Sequence, residues 1–225
     1  MRPGRRPQRS DLPGTFVQLE PIDPARHGAE LFAAAIEDET AGPGLWTYMP
    51  YGPFEDIAAF TDWLQVCAAG DDPLFFALRD KANVRAGGMA SYLNIHPEHR
   101  SIEIGHIWFA PFLQRSRQST EALYLLIRHA FEELAARRVE WKCNALNGAS
   151  RRAAERLGFT FEGIFYQHLI VKGRNRDTAW FSILDHEWPE LQGGFERWLD
   201  PGNFDGAGRQ KQALRHPPRQ DGQAR

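Results

Sequence analysis

The sequence predicts a mixed α/β (α+β) fold, with helices on both faces of a largely antiparallel, twisted sheet of about six to seven strands. Apolar residues recur in two patterns along the chain: the alternation or β-branched clusters typical of strands, and the spacing of amphipathic helices. Short polar turns separate three consecutive strand segments, as in an antiparallel meander. The resulting order is β-α-α-β-β-β-α-β-α-β-β, which a sheet covered by helices accommodates.

The N-terminal elements are one strand followed by two helices. Residues 16–22, "FVQLEPI", alternate as a half-buried strand does. In the first helix Asp23 is a suitable N-cap and Pro24 occupies the first helical position. The second helix, within "GPFEDIAAFTDWLQVCAAG", has apolar residues at helical spacing and ends at Gly70, a suitable C-cap.

A meander and a strand-helix alternation complete the predicted fold. The meander strands are "PLFFALRD", "VRAGGMASYLNI" and "RSIEIGHIWFA". The helix "EALYLLIRHAFEELAARR" (121–138) has one apolar face. After it we expect the strand "VEWKCNA", the helix "SRRAAERLG" closed by Gly158, and the strands "FEGIFYQHLIV" and "TAWFSILD" joined by the hairpin "KGRNRD".

Composition favours one packed domain with a tail at each end. The 225 residues are 42% hydrophobic and 12% aromatic, which is ample for a core. Residues 1–14 are rich in proline, arginine and glycine, and residues 201–225 lack a sustained apolar period. We therefore expect a single domain over residues 15–200 between two disordered tails.

Charge and cysteine content exclude several classes of function. Lys and Arg (27) nearly balance Asp and Glu (29), so no net field recruits nucleic acid or an anionic membrane. Without a secretory signal or a run of about 18 apolar residues, the chain is expected to be cytoplasmic. Cys67 and Cys143 lie in separate apolar segments away from other metal-ligand types, which predicts reduced, buried thiols and no metal site.

The polar loop "FLQRSRQST" (112–120) lies between a predicted strand and a predicted helix, where an anion commonly binds. A phosphate-binding loop usually contains glycine, whereas this loop has none and carries Arg115 and Arg117. Two interpretations follow from these residues. The arginines bind a phosphate group, or they are solvated and Ser119 or Thr120 is an ordinary N-cap.

The element order and local motifs resemble the GNAT superfamily of N-acetyltransferases, and within it the RimJ/RimL-like branch. The resemblance covers about residues 16–185. It is most specific over residues 103–159, which contain "EIGHIWFAPFLQRSRQS" and "EWKCNALNGASRRAAERLGF". The phosphate-loop pattern of the family, Q/R-x-x-G-x-G/A, falls on Gln114, Arg115, Ser116, Arg117, Gln118 and Ser119. Arg117 and Ser119 stand where the family usually has glycine, or glycine or alanine.

The resemblance implies a GNAT-like fold, acetyl-coenzyme A as co-substrate, and no metal. Main-chain N–H groups at the start of a helix supply the phosphate contacts, so non-glycine residues fit if their side chains point away. Main-chain groups near Trp108, Phe109 and Ala110 polarise the thioester carbonyl in this family. The full cofactor-binding set that the resemblance implies is these three residues, residues 114–120 (Gln114 to Thr120), Asn147 and Ser150.

Glu103 is the leading candidate for the general base, because its position matches a catalytic glutamate of some GNAT enzymes. It lies in a predicted apolar strand, where desolvation raises the pKa of a carboxyl group. Strand alternation places His106 on the opposite face unless a bulge intervenes. The alternative is a strand carboxylate paired with a neighbouring arginine. His168 is the second candidate for the base.

The proton donor is less well defined. Many GNAT enzymes have a tyrosine where this chain has Ala154. Ser150, in an N-x-x-S pattern, resembles a serine with that role in RimL-like enzymes, and Tyr166 is a second candidate. The alternatives are an ordinary first-turn serine and a surface or core tyrosine.

The segment "LWTYMPYGPF" (45–54) is the candidate acceptor wall, since Trp46, Tyr48 and Tyr51 can clamp a peptide or a cation. Simple packing of helices onto the sheet explains the same residues. Acidic residues 37–39 attract an amine or are merely solvated. Arg174 and Arg176 in the hairpin are surface charges or acceptor contacts.

The sequence therefore predicts an enzyme: an acetyl-coenzyme-A-dependent N-acetyltransferase. It transfers acetyl to a primary amine, either a protein N-terminal α-amine or a small-molecule amine, by direct attack in a ternary complex. The alternative is a non-catalytic GNAT-like module that senses acyl-coenzyme A or joins proteins. The expected partners are a small-molecule or peptide amine, with no nucleic acid and no membrane; a monomer and a homodimer both remain open.

Overall fold

A computed structural model describes residues 3–37 and 42–216 and contains one eight-stranded sheet with the order β1-β2-β3-β4-β5-β6-β8-β7. The pairs are antiparallel except β5 with β6, which run parallel. The strands are β1 (Leu12–Pro13), β2 (Val17–Pro21), β3 (Leu74–Asp80), β4 (Arg85–His96), β5 (Ser101–Phe109), β6 (Arg138–Asn144), β7 (Thr160–Val171) and β8 (Arg174–Leu184). The predicted fold class is confirmed, with the two-residue β1 as an additional edge strand.

Helices cover both faces of the sheet. They are α1 (Pro24–Ile36), α2 (Gly42–Leu45), α3 (Ile57–Ala69), α4 (Arg117–Glu132), α5 (Gly148–Arg156) and α6 (Trp188–Leu199), with 3-10 turns at Pro111–Leu113 and Pro201–Asn203. Leu126, Leu157 and Phe195 belong to the larger core, which α4, α5 and α6 form on one face. Leu31 and Phe60 belong to a second core, where α1 and α3 pack on the other face.

The N-cap of α1 follows the sequence prediction, because the Asp23 side chain accepts hydrogen bonds from the amides of Ala25 and Arg26. Helix α4 differs from its prediction. It begins at Arg117 rather than at residue 121, because the Ser116 hydroxyl caps it by accepting from the Ser119 amide at 3.1 Å. Half of the predicted loop is therefore the first turn of a helix.

The C-terminal part of the chain contains a helix that the sequence reading missed. Helix α6 places Trp188, Leu191, Phe195 and Trp198 in the core. These residues are at helical spacing, but Pro189 and two glycines lower the intrinsic helix propensity of the segment.

The described parts of both ends make ordered contacts, which differs from the expectation of disordered tails. At the C-terminal end Phe204 and Leu214 are buried in the larger core. At the N-terminal end the Gly4 amide donates to the Pro97 carbonyl at 2.8 Å. Apolar residues at wide spacing are enough to hold these segments against the domain, although they show no regular period.

Among residues 3–37 and 42–216, no helix is long and apolar enough to cross a membrane. The same residues contain no group of three or more His, Cys, Asp or Glu arranged to hold a metal ion. Cys67 and Cys143 are both free and buried, and burial raises the pKa of the Cys67 thiol to about 12. A thiol with so high a pKa is a poor nucleophile at neutral pH.

Candidate active site

A gap opens in the middle of the sheet. The parallel pairing of β5 with β6 covers Ser101↔Arg138, Ile102↔Val139 and Glu103↔Glu140 only. Beyond this point β5 continues to Phe109 and β6 to Asn144 without pairing to each other. The two strands are therefore splayed, and their facing main-chain groups need partners from elsewhere.

Main-chain donors at the gap differ along β5. The Ala110 amide donates to the Gly87 carbonyl on β4 at 2.7 Å, so it is not available to a ligand as the sequence reading expected. Since successive residues of a strand point to opposite sides, the Phe109 amide is directed to the gap. The Gln114 side chain reaches the same place and donates to the Phe109 carbonyl at 3.0 Å. The Trp108 side chain is buried, so its ring is not an accessible contact for a ligand.

The start of α4 supplies further main-chain donors. The 3-10 turn Pro111–Leu113 leads into Arg115, which is exposed and has φ = +56°. This left-handed residue redirects the chain into the helix that starts after Ser116. The first N–H groups of a helix have no intrahelical acceptor and lie at the positive end of its dipole. The geometry therefore suits an anion even though the loop contains no glycine.

Side chains of the first turn of α4 are engaged with the protein. The Arg117 guanidinium lies over the Phe16 ring at 4.3 Å and the Phe204 ring at 5.4 Å. The hydroxyls of Ser119 and Thr120 both donate to the Ser116 carbonyl, at 3.0 Å and 3.1 Å. In the same turn, the Gln118 side chain approaches Asp80 at 3.4 Å. Only the main chain of this turn is left for a ligand.

Helix α5 begins beside the gap. Asn147 is its N-cap, and its side-chain oxygen accepts from the Ser150 amide at 3.0 Å. The Ser150 hydroxyl accepts from the Trp141 indole N–H at 3.0 Å and also hydrogen-bonds Cys143, where it partly offsets the rise that burial causes in the pKa of that thiol. Ala154 is fully buried in the core. Among the residues of α5, Ser150 carries a hydroxyl group, whereas residue 154 is a buried alanine.

Glu103 is held at the point where β5 and β6 separate. Its side chain is 7% exposed, accepts from the Asn94 side-chain Nδ2 at 2.6 Å and pairs with the Lys142 ammonium at 2.9 Å. The partner is a lysine and not the arginine that the sequence reading offered as an alternative. Lys142 also pairs with Glu140 at 2.9 Å and lies over the Trp180 ring at 4.0 Å.

The two carboxylates that share Lys142 differ in pKa. Burial raises the pKa of Glu103, and the attraction of Lys142 only partly offsets this. Burial also acts on Glu140, but hydrogen bonds from Arg138 and Lys142 outweigh it and lower the pKa of Glu140. Glu103 is therefore the carboxylate of this cluster that takes up a proton more readily.

The candidates on β7 lie in different surroundings. Tyr166 is 76% exposed on the edge strand of the sheet, which makes it a surface tyrosine in this conformation. His168 lies within the irregular stretch of the β7–β8 pairing between Phe165 and Leu169, and its Nδ1 lies 3.0 Å from the Thr178 hydroxyl. Since Thr178 and Trp180 share one face of β8, His168 lies on the same open face of the sheet as Lys142.

The aromatic segment 45–54 is largely a packing element. Trp46 is 3% exposed and contacts Trp108 with ring centroids 5.6 Å apart, so it is a core residue rather than an acceptor wall. Tyr51 stacks on His106 at 5.6 Å, and its hydroxyl lies 3.2 Å from the His106 Nδ1. Tyr48 donates to the Leu146 carbonyl at 3.2 Å and spans from this segment to the start of α5.

His106 has φ = +53° and lies where the β4–β5 register shifts, so β5 has a bulge here. Strict alternation along the strand therefore does not hold at His106. The bulge turns its ring toward Tyr51. Glu37 pairs with Arg85 at 3.1 Å, while residues 38 and 39 of the acidic segment lie outside the described residues.

Lys172, in the hairpin between β7 and β8, contacts the aromatic segment 45–54 beside the sheet face that carries Glu103 and Lys142. Its ammonium donates to the carbonyls of Trp46 at 3.0 Å, Tyr51 at 2.9 Å and Gly52 at 2.6 Å. Three carbonyl acceptors match the three N–H bonds of an ammonium group. The hairpin is thereby tied to the aromatic segment across the face that carries Glu103.

Sequence reasoning missed Asn94, Lys142 and Lys172. Lys142 alternates with Glu140 in "VEWKCNA", a sign that this face of β6 is polar. That Glu103 would be its partner depends on the parallel β5–β6 pairing, which no local pattern reveals. Lys172 had no signal beyond its position in a predicted turn.

A mixed sheet with splayed central strands, a helix N-terminus at the gap and a buried glutamate define an acyltransferase-like class of fold and site. Residues 17–160 match the family described as Acetyltransferase (GNAT) domain, which is well over half of the chain. The chain belongs to this family. The match confirms the predicted family and the predicted class of enzyme, an acetyltransferase.

Individual relatives support the assignment. A GCN5-related N-acetyltransferase from Brucella melitensis is 46% identical, with a TM-score of 0.93 over 95% of this chain and 96% of that chain. YdaF of Bacillus subtilis, a candidate ribosomal N-acetyltransferase by name, is 38% identical over 45% of this chain. The match spans 55% of that protein. The structure of the microcin C7 self-immunity acetyltransferase MccE, solved with acetyl-CoA and AMP, has the same fold. The two sequences are 20% identical and the TM-score is 0.65, over 76% of this chain and 93% of that chain.

Proposed function

We propose that this chain is an acetyl-coenzyme-A-dependent N-acetyltransferase of the RimJ/RimL-like type that acetylates a primary amine by direct attack in a ternary complex. The observation that carries the proposal is Glu103, a buried carboxylate held by Lys142 and Asn94 where β5 and β6 separate. A base beside a gap in a sheet suits a reaction between a nucleophile on one side and an acyl donor in the gap.

The residues fit a coenzyme A group. Amides at the start of α4, from Arg115 to Gln118, would hold its phosphates, because their side chains are exposed or engaged elsewhere. The Phe109 amide faces the gap that the rest of the group would enter, and Asn147, which caps α5, is proposed to contact the group there. When bound, acetyl-coenzyme A supplies the acetyl group as an activated thioester.

The chain's own residues account for the movement of protons. An ammonium acceptor must lose a proton before its nitrogen can attack, and Glu103 takes that proton directly or through water. The raised pKa of Glu103 makes it a stronger base than an ordinary carboxylate. In this proposal the nitrogen attacks the thioester carbonyl carbon, forming the new C–N bond, and gives up its surplus proton to water. The C–S bond then breaks, and the Ser150 hydroxyl protonates the departing sulfur and regains a proton from water.

Two measurements test the proposal. Titration calorimetry of acetyl-coenzyme A into the protein should give a micromolar Kd. Glu103→Gln should lower kcat/KM for acetylation of an amine by about 10²- to 10⁴-fold, the range expected for loss of a general base. The Kd for acetyl-coenzyme A should stay the same in this variant, because Glu103 does not contact the start of α4.

The Asp23→Asn variant is a matched control, since Asp23 is a carboxylate that caps α1 by accepting from the Ala25 amide at 2.9 Å and follows β2, which β3 and β4 separate from β5. Its kcat/KM should equal that of the wild type. Binding of acetyl-coenzyme A without turnover on any amine would instead favour the non-catalytic sensing module. Equal turnover in Glu103→Gln and wild type would remove Glu103 as the base.

A further inference from the structure

Arg176 is a cation on the open face of the sheet that the reaction described above does not use. It lies on β8 opposite Leu169, two residues before Thr178, and the β6–β8 pairing ends at Thr178. Arg176 therefore extends beyond the end of β6, next to the gap. By alternation it shares a face with Thr178 and Trp180, and so with Lys142 and Glu103.

In the described part of the chain, the Nε of the Arg176 guanidinium lacks a hydrogen-bond acceptor. Its Nε is buried and makes no hydrogen bond, and the group forms no ion pair with any described carboxylate. Burial lowers the pKa of Arg176 while Cys143 and then Glu103 act in the opposite direction, but Asn94 and Lys142 already occupy the Glu103 carboxylate. The contrast with Arg138 is direct, because Arg138 is fixed by Glu140 and Glu162 at 2.6 Å each.

Arg176 as a whole is half-buried, but a buried donor such as its Nε is unfavourable without an acceptor, and buried charged groups in proteins are normally paired. Arg176 cannot avoid the cost by losing its proton, because a guanidinium stays charged even where burial lowers its pKa. The Trp180 indole N–H on the same face is also buried without a partner. Both uncommitted groups are donors, so the face lacks an acceptor-rich, anionic group.

We propose that Arg176 binds an anionic group of the acceptor substrate, so that the preferred acceptor is an amine whose molecule also carries a carboxylate. The inference rests on the proposed function. Glu103 receives the amine end, and Arg176 receives the carboxylate, which a guanidinium binds in bidentate fashion. The carboxylate comes either from a free amino acid or from an acidic side chain near a peptide N-terminus.

The experiment compares matched acceptors in wild type, Arg176→Gln and Arg174→Gln. The first pair is a free α-amino acid and the corresponding amino acid amide, tested over several side chains. The second pair is two peptides that differ only at the second residue, which is Asp in one and Asn in the other. The quantity measured is the ratio of kcat/KM for the acid to that for its neutral partner. Comparing this ratio between enzymes cancels the intrinsic reactivity of each amine. Arg174, exposed in the same hairpin, is the matched control.

Arg176→Gln should lower the ratio by about 10- to 100-fold for the pair that matches the natural source, as loss of a charge-assisted hydrogen bond predicts. Arg174→Gln should leave the ratio unchanged. An unchanged ratio in Arg176→Gln for both pairs would overturn the inference while leaving the proposed function intact. A fall in kcat/KM that is equal for acids and amides would also overturn it.

A second measurement does not require turnover. The Nε–H signal of Arg176, assigned in ¹⁵N spectra by its absence from Arg176→Gln, should shift with N-acetylglycine and not with N-acetylglycinamide. A shift without any acetyl transfer would support the anion site and count against the proposed function. Identical spectra with both probes, beside measurable acetylation of amines, would count against the anion site alone.

Discussion

Arg117 and Arg176 show two uses of a buried or half-buried arginine in one chain. Arg117 belongs to a motif that resembles a phosphate loop, yet its guanidinium rests on the rings of Phe16 and Phe204. Arg176 belongs to no motif, yet its Nε is buried without a partner beside the gap in the sheet. The residue that a motif singles out is engaged by the protein, whereas the one in the hairpin is uncommitted.

The same contrast extends to the carboxylates of the two regions. At the start of α4, Glu121 accepts three amides, from Thr15 at 2.7 Å, Phe16 at 2.6 Å and Val17 at 2.8 Å. Glu103 is similarly buried but is held by two side chains, those of Asn94 and Lys142, at the edge of a gap. Groups whose partners are all main chain stabilise the fold, and groups with side-chain partners at a gap are available for chemistry.

Among the variants that test the comparison of Glu121 with Glu103, we expect Glu121→Gln to change the free energy of unfolding the most. Glu121→Gln replaces a carboxylate oxygen by an amide nitrogen and leaves at least one buried amide of residues 15–17 without an acceptor. We expect the free energy of unfolding to fall by about 3–5 kcal/mol. Urea denaturation followed by circular dichroism measures it.

Glu103→Gln is the counterpart in the gap. Its free energy of unfolding should change by less than half as much, because Lys142 keeps its pair with Glu140 and the raised pKa of Glu103 already marks a destabilised charge. If the two variants lose equal stability, the distinction between a structural and an available carboxylate is wrong.

A smaller effect concerns the pH dependence of stability. Burial, and then the positive charge of Arg176, lower the pKa of His106 to about 4, whereas an unfolded histidine titrates near 6.5. Between these values the unfolded state binds the extra proton and the folded state does not. The free energy of unfolding therefore falls as pH drops through 6.5 and levels off below about 4, with a total loss of at most ~3 kcal/mol.

The His106→Asn variant isolates this contribution, because asparagine does not titrate and tolerates the positive φ at this position. The stability difference between wild type and His106→Asn should shrink as the pH is lowered from 7 to 4. In an Arg176→Gln background it should shrink less, since the repulsive charge is gone. A pH-independent difference would show that His106 titrates normally and that the gap is wetter than its burial indicates.

Much of the fold was predictable because local periodicity sets strands and helices one by one. Helix α6 also has apolar residues at helical spacing, namely Trp188, Leu191, Phe195 and Trp198. It was nevertheless missed, because its proline and two glycines lower the helix propensity of the segment. Glu103 was singled out because its position matches a catalytic glutamate of some GNAT enzymes, and its role as the base stays a prediction. Lys142 was assigned no role and Arg176 was left as either a surface charge or an acceptor contact, because the order β6-β8-β7 brings together residues that are far apart in sequence.

The smallest expected effect bears on Arg117 itself. Arg117→Ala removes the cation from the rings of Phe16 and Phe204, which should lower the free energy of unfolding by about 1 kcal/mol. The Kd for acetyl-coenzyme A should change by less than about threefold, because the amide of residue 117 is retained. Calorimetric titration and urea denaturation of the same preparation measure both quantities.

Phe204→Leu is the matched control, since it removes one of the rings while leaving the arginine in place. It should lower stability by a comparable or larger amount and leave the Kd unchanged. If Arg117→Ala weakened acetyl-coenzyme A binding tenfold at unchanged stability, the guanidinium would have to leave its rings to reach a phosphate. The two arginines would then both be ligand-binding groups, and the start of α4 would depend on side-chain charge where its main-chain amides are expected to suffice.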